Sequence, residues 1–209
     1  MRKDRGKRGM KRWELCLLLM TAVLLLSLAT GARQQTELSQ QVLRLHILAN
    51  SDSPRDQALK LKVRDGLLDR VEELTAGIAS REEAEAKLSG HLPELEAAAE
   101  ALLAREGCWQ PVRAEVTECW FPTRVYEDFS LPAGWYHALR VELGEGKGKN
   151  WWCVVYPPLC TAGVEEIAQT SLDLSEEQVS LITRETEEYV LRFRCAELWG
   201  QLQNWLHGE

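Results

Sequence analysis

Hydrophobic and polar positions alternate with clear periods along most of the chain, and the periods change twice. From Val42 to Ala49, Leu43, Leu45 and Ile47 oppose Arg44 and His46, the period-two pattern of a strand. Asn50-Ser51-Asp52-Ser53-Pro54 breaks that strand and opens a helix, with Ser53 as N-cap, Pro54 at the first helical position and Asp56 three residues after the cap. The helix is predicted from Pro54 to about Ala76, with Gly77 closing it. Ala58, Leu61, Leu68, Val71 and Leu74 supply its apolar spacing, and Lys60, Lys62, Arg64, Asp69 and Arg70 are expected on the outer face with Glu72 and Glu73. Ser80 with Glu83 marks a capping box for a short helix to Leu88. Leu92, Leu95, Ala99, Leu102 and Leu103 describe a further amphipathic helix that ends before Gly107.

After Gly107 the texture becomes β. Val112, Ala114 and Val116 alternate with Arg113, Glu115 and Thr117 in the stretch from Pro111 to Cys119. Phe121 to Tyr126 and Leu131 to Gly134 read as edge or turn segments, because proline cannot donate to a central ladder. Trp135, His137, Leu139, Val141 and Leu143 oppose Tyr136, Ala138, Arg140 and Glu142. The glycine loop Gly144 to Gly148 is expected to join that strand to Trp151–Tyr156 as an antiparallel hairpin. Trp151 and Trp152 then point to opposite faces. Further on, Ser175 opens a short helix, Tyr189 to Arg194 reads as a strand, and Leu198, Trp199, Leu202, Trp205 and Leu206 line one face of a C-terminal helix. Helices gathered early and strands later favour an α+β fold: a strand and helical region packed on a mainly antiparallel sheet, with a C-terminal helix.

The first twelve residues carry seven basic side chains against Asp4 alone, and Leu15 to Ala29 is almost purely apolar, followed by the small residues Thr30, Gly31 and Ala32. That is the plan of an export signal. The apolar run is shorter than the roughly 20 residues a spanning helix needs, which favours cleavage near Ala29 to Ala32 over an uncleaved anchor across residues 13–29. The expected organisation is a leader over residues 1–32, a polar linker over 33–41 and one exported domain over 42–209. Removing the leader takes seven of 25 basic and two of 32 acidic residues and leaves 18 against 30, a net charge of −12. Such a domain repels nucleic acid and anionic lipid. Its partner is expected to be protein, with membrane contact only in transit through the leader.

Export also bears on cysteine, since disulfides persist outside the cytosol. Cys153 and Cys160 enclose Pro157-Pro158, a turn suited to a bridge; Cys108 with Cys119 is a weaker pairing, and buried free thiols are the alternative to both. No spacing suggests a zinc site, and neither metal nor cofactor is expected. Enzyme motifs fail at named positions. For a phosphate loop ending at Gly148-Lys149, Leu143 stands where the first glycine belongs and Asn150 replaces the hydroxyl. Asn50 to Ser53 begins like a calcium loop, but Arg55 occupies the glycine position and Leu61 the bidentate glutamate position, so a helix cap is favoured. His46, His91, His137 and His207 form no ligand pair by spacing. No catalytic residue is assigned.

Three passages resemble the stage II sporulation protein R family of endospore-forming bacteria: Leu45 to Arg64, Phe121 to Tyr126 with Leu131 to Gly134, and Gly144 to Cys160. Asn50, Asp52, Asp56, Arg64, Phe121, Pro122, Gly134, Gly144 and Gly146 carry that signature. The resemblance implies a signalling protein rather than an enzyme. Family members are made in the forespore and exported into the space between forespore and mother cell. There they trigger a membrane-embedded aspartic protease, stage II sporulation protein GA, which processes the pro-form of an early mother-cell sigma factor. A hairpin with paired tryptophans and a Pro-Pro turn suits an anchor-type contact. Asn150, Trp151, Trp152, Tyr156, Pro157 and Pro158 are the expected partner-binding residues. An exported cell-wall or small-molecule enzyme is the alternative.

Overall fold

The computed structural model describes residues 11–126 and 130–158, residues 24–37 by their backbone alone. Cys160, Cys195, the elements expected at Ser175 and Tyr189, and the C-terminal helix face lie outside the described residues, as does the start of the basic leader. The elements run α1 (Arg12–Gln41), β1 (Leu43–Leu48), α2 (Pro54–Thr75), α3 (Arg81–Ser89), α4 (Leu92–Arg105), β2 (Val112–Phe121), β3 (Arg124–Val125), β4 (Ser130–Leu131), β5 (Gly134–Leu143) and β6 (Asn150–Tyr156). The fold is α+β, with a mixed, mostly antiparallel sheet in the order β2-β5-β1-β6 and a separate β3-β4 ribbon.

β1 is an inner strand, parallel to β5 and antiparallel to β6, with Leu45 beside Leu139 on one flank and Cys153 on the other. Leu43, Leu45 and Ile47 face a core built with Leu59, Val63, Leu67 and Val71 of α2, Ala84 and Leu88 of α3, and Leu95, Ala99 and Leu103 of α4. The opposite face of the sheet packs Phe121, Tyr136, Ala138 and Val154 under Leu38 and Val42 at the end of α1 and Leu131 of the ribbon. Both faces of β1 are therefore covered, which is why its alternation contains a buried arginine rather than a solvated one.

The expected β5-β6 hairpin does not form, because β1 lies between the two strands. Neighbouring strands sit about 4.8 Å apart, so the link from Leu143 to Asn150 must cross about 10 Å, well within reach of its extended chain. A glycine-rich link of this length serves a hairpin or a step over one strand equally well. The apolar face of α2 is also rotated from the expected one. Leu59, Val63, Leu67, Val71 and Thr75 are buried at strict four-residue spacing, whereas Ala58 and Leu61 are exposed. Lys60, expected outside, is buried; its stem covers apolar surface while Nζ donates to the Lys149 carbonyl at 2.8 Å and to Gln57 Oε1 at 2.7 Å. The caps follow the expected chemistry, with Ser53 Oγ accepting from Asp56 N and Ser80 Oγ from Glu83 N.

α1 continues through residues 33–41, the stretch read as a linker. Its glutamines, Glu37 and Leu38 are good helix formers without glycine or proline, so the stretch continues a helix rather than breaking it. Leu18, Leu19, Met20 and Val23 are exposed along the helix. Among the described residues no helix is long and apolar enough to cross a membrane.

Candidate functional site

Two groupings gather the signature residues. The first is a seam where the loop after β1 meets the loop after β5. Asn50 Oδ1 accepts from Glu145 N at 3.0 Å, Asp52 Oδ1 accepts from Lys149 N at 2.7 Å, and Gly148 N donates to the Ala49 carbonyl at 2.8 Å. Asn50 Nδ2 and Ser51 Oγ donate to Asp56 Oδ2 at 3.0 and 2.5 Å, tying the seam to the first turn of α2. These donors, Ser51 first, hold the Asp56 carboxyl below the ordinary carboxylate range. Gly144 has φ +61°, and a Cβ there would strike the Asn50 amide; a Cβ on Gly148 would overlap the Ser51 carbonyl. The backbone N–H groups of Glu145, Lys147, Gly148 and Lys149 are thus spent on Asn50, Ala49 and Asp52. A phosphate would find none of them directed at it, and the acidic residues of the calcium-like stretch serve as cap and seam.

The second grouping is β6 and what covers its two sides. Trp151 and Trp152 do point to opposite faces. Trp151 packs on the helix side, where the Arg64 guanidinium lies 4.3 Å from its ring centroid. Trp152 packs on the other side, with Arg124 3.8 Å over its ring and the His46 imidazole stacked at 5.9 Å. His46 and Asn150 share a hydrogen bond of 2.8 Å between Nε2 and Oδ1. Burial first, and then Arg140 and Arg44, push the His46 pKa below its ordinary value against the opposing Asn150 bond.

Of the expected partner-binding residues, Asn150 is exposed, Trp151, Trp152 and Pro158 are half-buried, and Tyr156 and Pro157 are buried across a cis peptide bond. Cys153 is buried in the helix-side core. The weaker pairing is overturned: Cys108 carries a free thiol just beyond α4, whereas Cys119 sits near the far end of β2. The seven steps from Val112 to Cys119 span about 23 Å of strand, far beyond bridging distance.

Phe121, Pro122 and Gly134 belong to the non-helical face and its rim; Phe121 opposes Gly134 across β2 and β5. Above Phe121 lies Arg44, fully buried, its guanidinium carbon 4.0 Å from the Phe121 centroid and 4.8 Å from that of Tyr136. Arg44 Nη2 donates to Tyr126 Oη at 2.8 Å, and Tyr126 donates to the Trp152 carbonyl at 3.3 Å. Sequence reasoning placed Arg44 opposite the apolar positions of β1 but assigned it no role; it gave Arg124 and Tyr126 no individual role and Gly148 only that of a connecting loop. Alternation marked the face of Arg44; nothing local marked what covers that face. Among the described residues no group of His, Cys, Asp and Glu is arranged to hold a metal.

Fold and seam together define an α+β protein organised around one inner strand and the two loops that cross at its end. A family model described as Stage II sporulation protein R matches residues 39–166, and the chain belongs to that family. It is 41% identical over 127 residues to Stage II sporulation protein R of Bacillus subtilis (strain 168), a stretch covering 61% of this chain and 57% of that relative. The chain thus aligns with less than two thirds of the relative's length. No solved structure matches it.

Proposed function

We propose that this chain is a secreted signalling protein of endospore formation, exported from the forespore through its leader. In the space between forespore and mother cell it activates the membrane-embedded protease stage II sporulation protein GA, which then processes a pro-sigma factor. The observation that supports this reading is family membership over residues 39–166, a stretch that contains all of the described sheet and its helical cover. The role proposed is that of a protein ligand, not an enzyme. Contact is made by the β6 edge and its Pro-Pro end, with Asn150, Trp151, Trp152 and Pro158 reaching the surface and Tyr156 and Pro157 fixing the strand end from within. A Cys153–Cys160 bridge would close the turn after β6.

Co-expression of this chain, the protease and the sigma precursor in a non-sporulating host tests the reading. Processing is expected only when all three are present and residues 1–32 are retained. Changing both Trp151 and Trp152 to Ala is expected to abolish processing while the secreted protein keeps its circular dichroism spectrum. Undiminished processing by the folded double variant would remove β6 from the contact.

A further inference from the structure

Among the described residues, the sheet face opposite the helices carries cations that no acid balances. Arg44 is wholly buried, and its Nε and Nη1 have no hydrogen-bond partner. Arg124 Nε, His46 Nδ1 and Trp152 Nε1 are likewise buried atoms without one. Among the described residues Arg44 and Arg124 make aromatic contacts but no ion pair. The acids of the same face are already engaged: Glu115 with Arg140 at 3.5 Å and Arg113 at 3.9 Å, and Glu142 with Arg140 at 2.5 Å. In a chain with more acidic than basic residues, two neighbouring guanidiniums without a carboxylate among the described residues are conspicuous. A buried guanidinium with idle donors costs folding free energy, and the cost is recovered when an acceptor arrives.

We propose that Arg44, Arg124 and the Trp152 indole N–H form a receiving site for a carboxylate side chain on an acidic segment of a partner protein. Arg44 is the floor, set in the corner of the edge-to-face Phe121 and Tyr136 rings with Nη2 held by Tyr126, so that its remaining donors are fixed in direction. Arg124 and Trp152 are partly exposed and form the entrance. Nucleic acid and anionic lipid present negative charge over an area wider than the site and meet the acidic body around it, whereas a short acidic segment can set one carboxylate on the local pair with its other charges in screened solvent. The choice of a protein segment rests on the ligand reading above; the site itself does not.

The test titrates the full chain with a short poly-glutamate peptide at about 0.15 M salt, where long-range repulsion is screened beyond roughly 8 Å. Tryptophan fluorescence and the thermal midpoint are the readouts. Poly-glutamate is expected to raise the midpoint and change the fluorescence, with poly-glutamine inert and inorganic phosphate weaker. Arg124→Ala, at a partly exposed position of the ribbon, is expected to weaken binding about tenfold or more, and Arg44→Lys, which keeps charge but loses the idle guanidinium N–H groups, by a similar factor. No response to poly-glutamate, equal response to poly-glutamine or phosphate, or unchanged affinity in Arg124→Ala would each overturn the site. Because the titration contains no protease, its failure leaves the activation reading standing. Loss of sigma-factor processing alongside intact peptide binding would do the reverse.

Discussion

The two faces of the central sheet are made of different materials. On the helix side, Leu43, Leu45, Ile47, Leu139, Val141 and Leu143 meet the aliphatic faces of α2, α3 and α4. On the other side the same two strands present Arg44, His46, Tyr136 and Arg140, with Phe121, Trp152 and Arg124 around them. The first face is non-directional burial, worth about 1.5–3 kcal/mol for each large aliphatic side chain. The second has directional contacts, idle donors and a histidine whose pKa burial lowers. The first face supplies stability; the second holds groups that stability alone does not require.

Truncation on the two faces separates these roles. Leu45→Ala removes a fully buried side chain from an inner strand and is expected to destabilise by about 2–5 kcal/mol in chemical denaturation. Gly148→Ala attacks the seam that sets the strand order. Its Cβ would meet the Ser51 carbonyl, a backbone atom that moves only if the loop moves, so a loss of about 1–3 kcal/mol is expected. Amide exchange should quicken at Lys147, Gly148 and Lys149 while the helices stay protected. A uniform loss of protection would instead make the seam part of the global core.

Arg44→Met sharpens the contrast from the other face. Methionine fills similar space against Phe121 and Tyr136 and removes a buried charge that has no counter-ion among the described residues. Stability is expected to stay within about 1 kcal/mol of wild type or to rise, since removing desolvated charge offsets the lost Tyr126 bond. Acid-peptide binding should disappear in the same variant. A loss comparable to Leu45→Ala would show that the two faces are energetically alike.

The helix-side face was legible in the sequence because it is periodic. The alternation of Leu43, Leu45 and Ile47, the cap at Ser53 and the repeat through α4 all translate directly into position. What was not legible depends on distant partners. The phase of α2 turned on Lys60, whose burial is permitted by a carbonyl 89 positions away. The strand order turned on β1 inserting between β5 and β6, for which the glycine loop carries no local mark. Asn50 and Asp52 looked like ligands of something and are ligands of that loop's own amides. The other face was half legible: alternation put Arg44 and His46 together, but their cover comes from the end of α1 and the β3-β4 ribbon, which look polar or turn-like in sequence.

The smallest effect expected is also the one most specific to that second face. His46 is flanked by Arg44 on its own strand, Arg140 and Glu142 on β5, and Asn150 and Trp152 on β6. Burial, then the two arginines, lower its pKa below 6.5, while Asn150 and Glu142 oppose the shift. The unfolded chain therefore takes up this proton at a higher pH than the folded one. As pH falls through about 6.5 towards the folded value, the unfolded state binds more protons and stability declines. Replacing His46 by Gln retains a donor for Asn150 and removes the titration. The difference in unfolding free energy between wild type and His46→Gln, followed from pH 8 to 5, should be flat at the upper end and turn against wild type below about 6.5. Taking the difference cancels the carboxylates common to both proteins, Asp56 among them. A flat difference curve would mean that His46 accepts its proton in place, and that the cations around it exert no net field on that face.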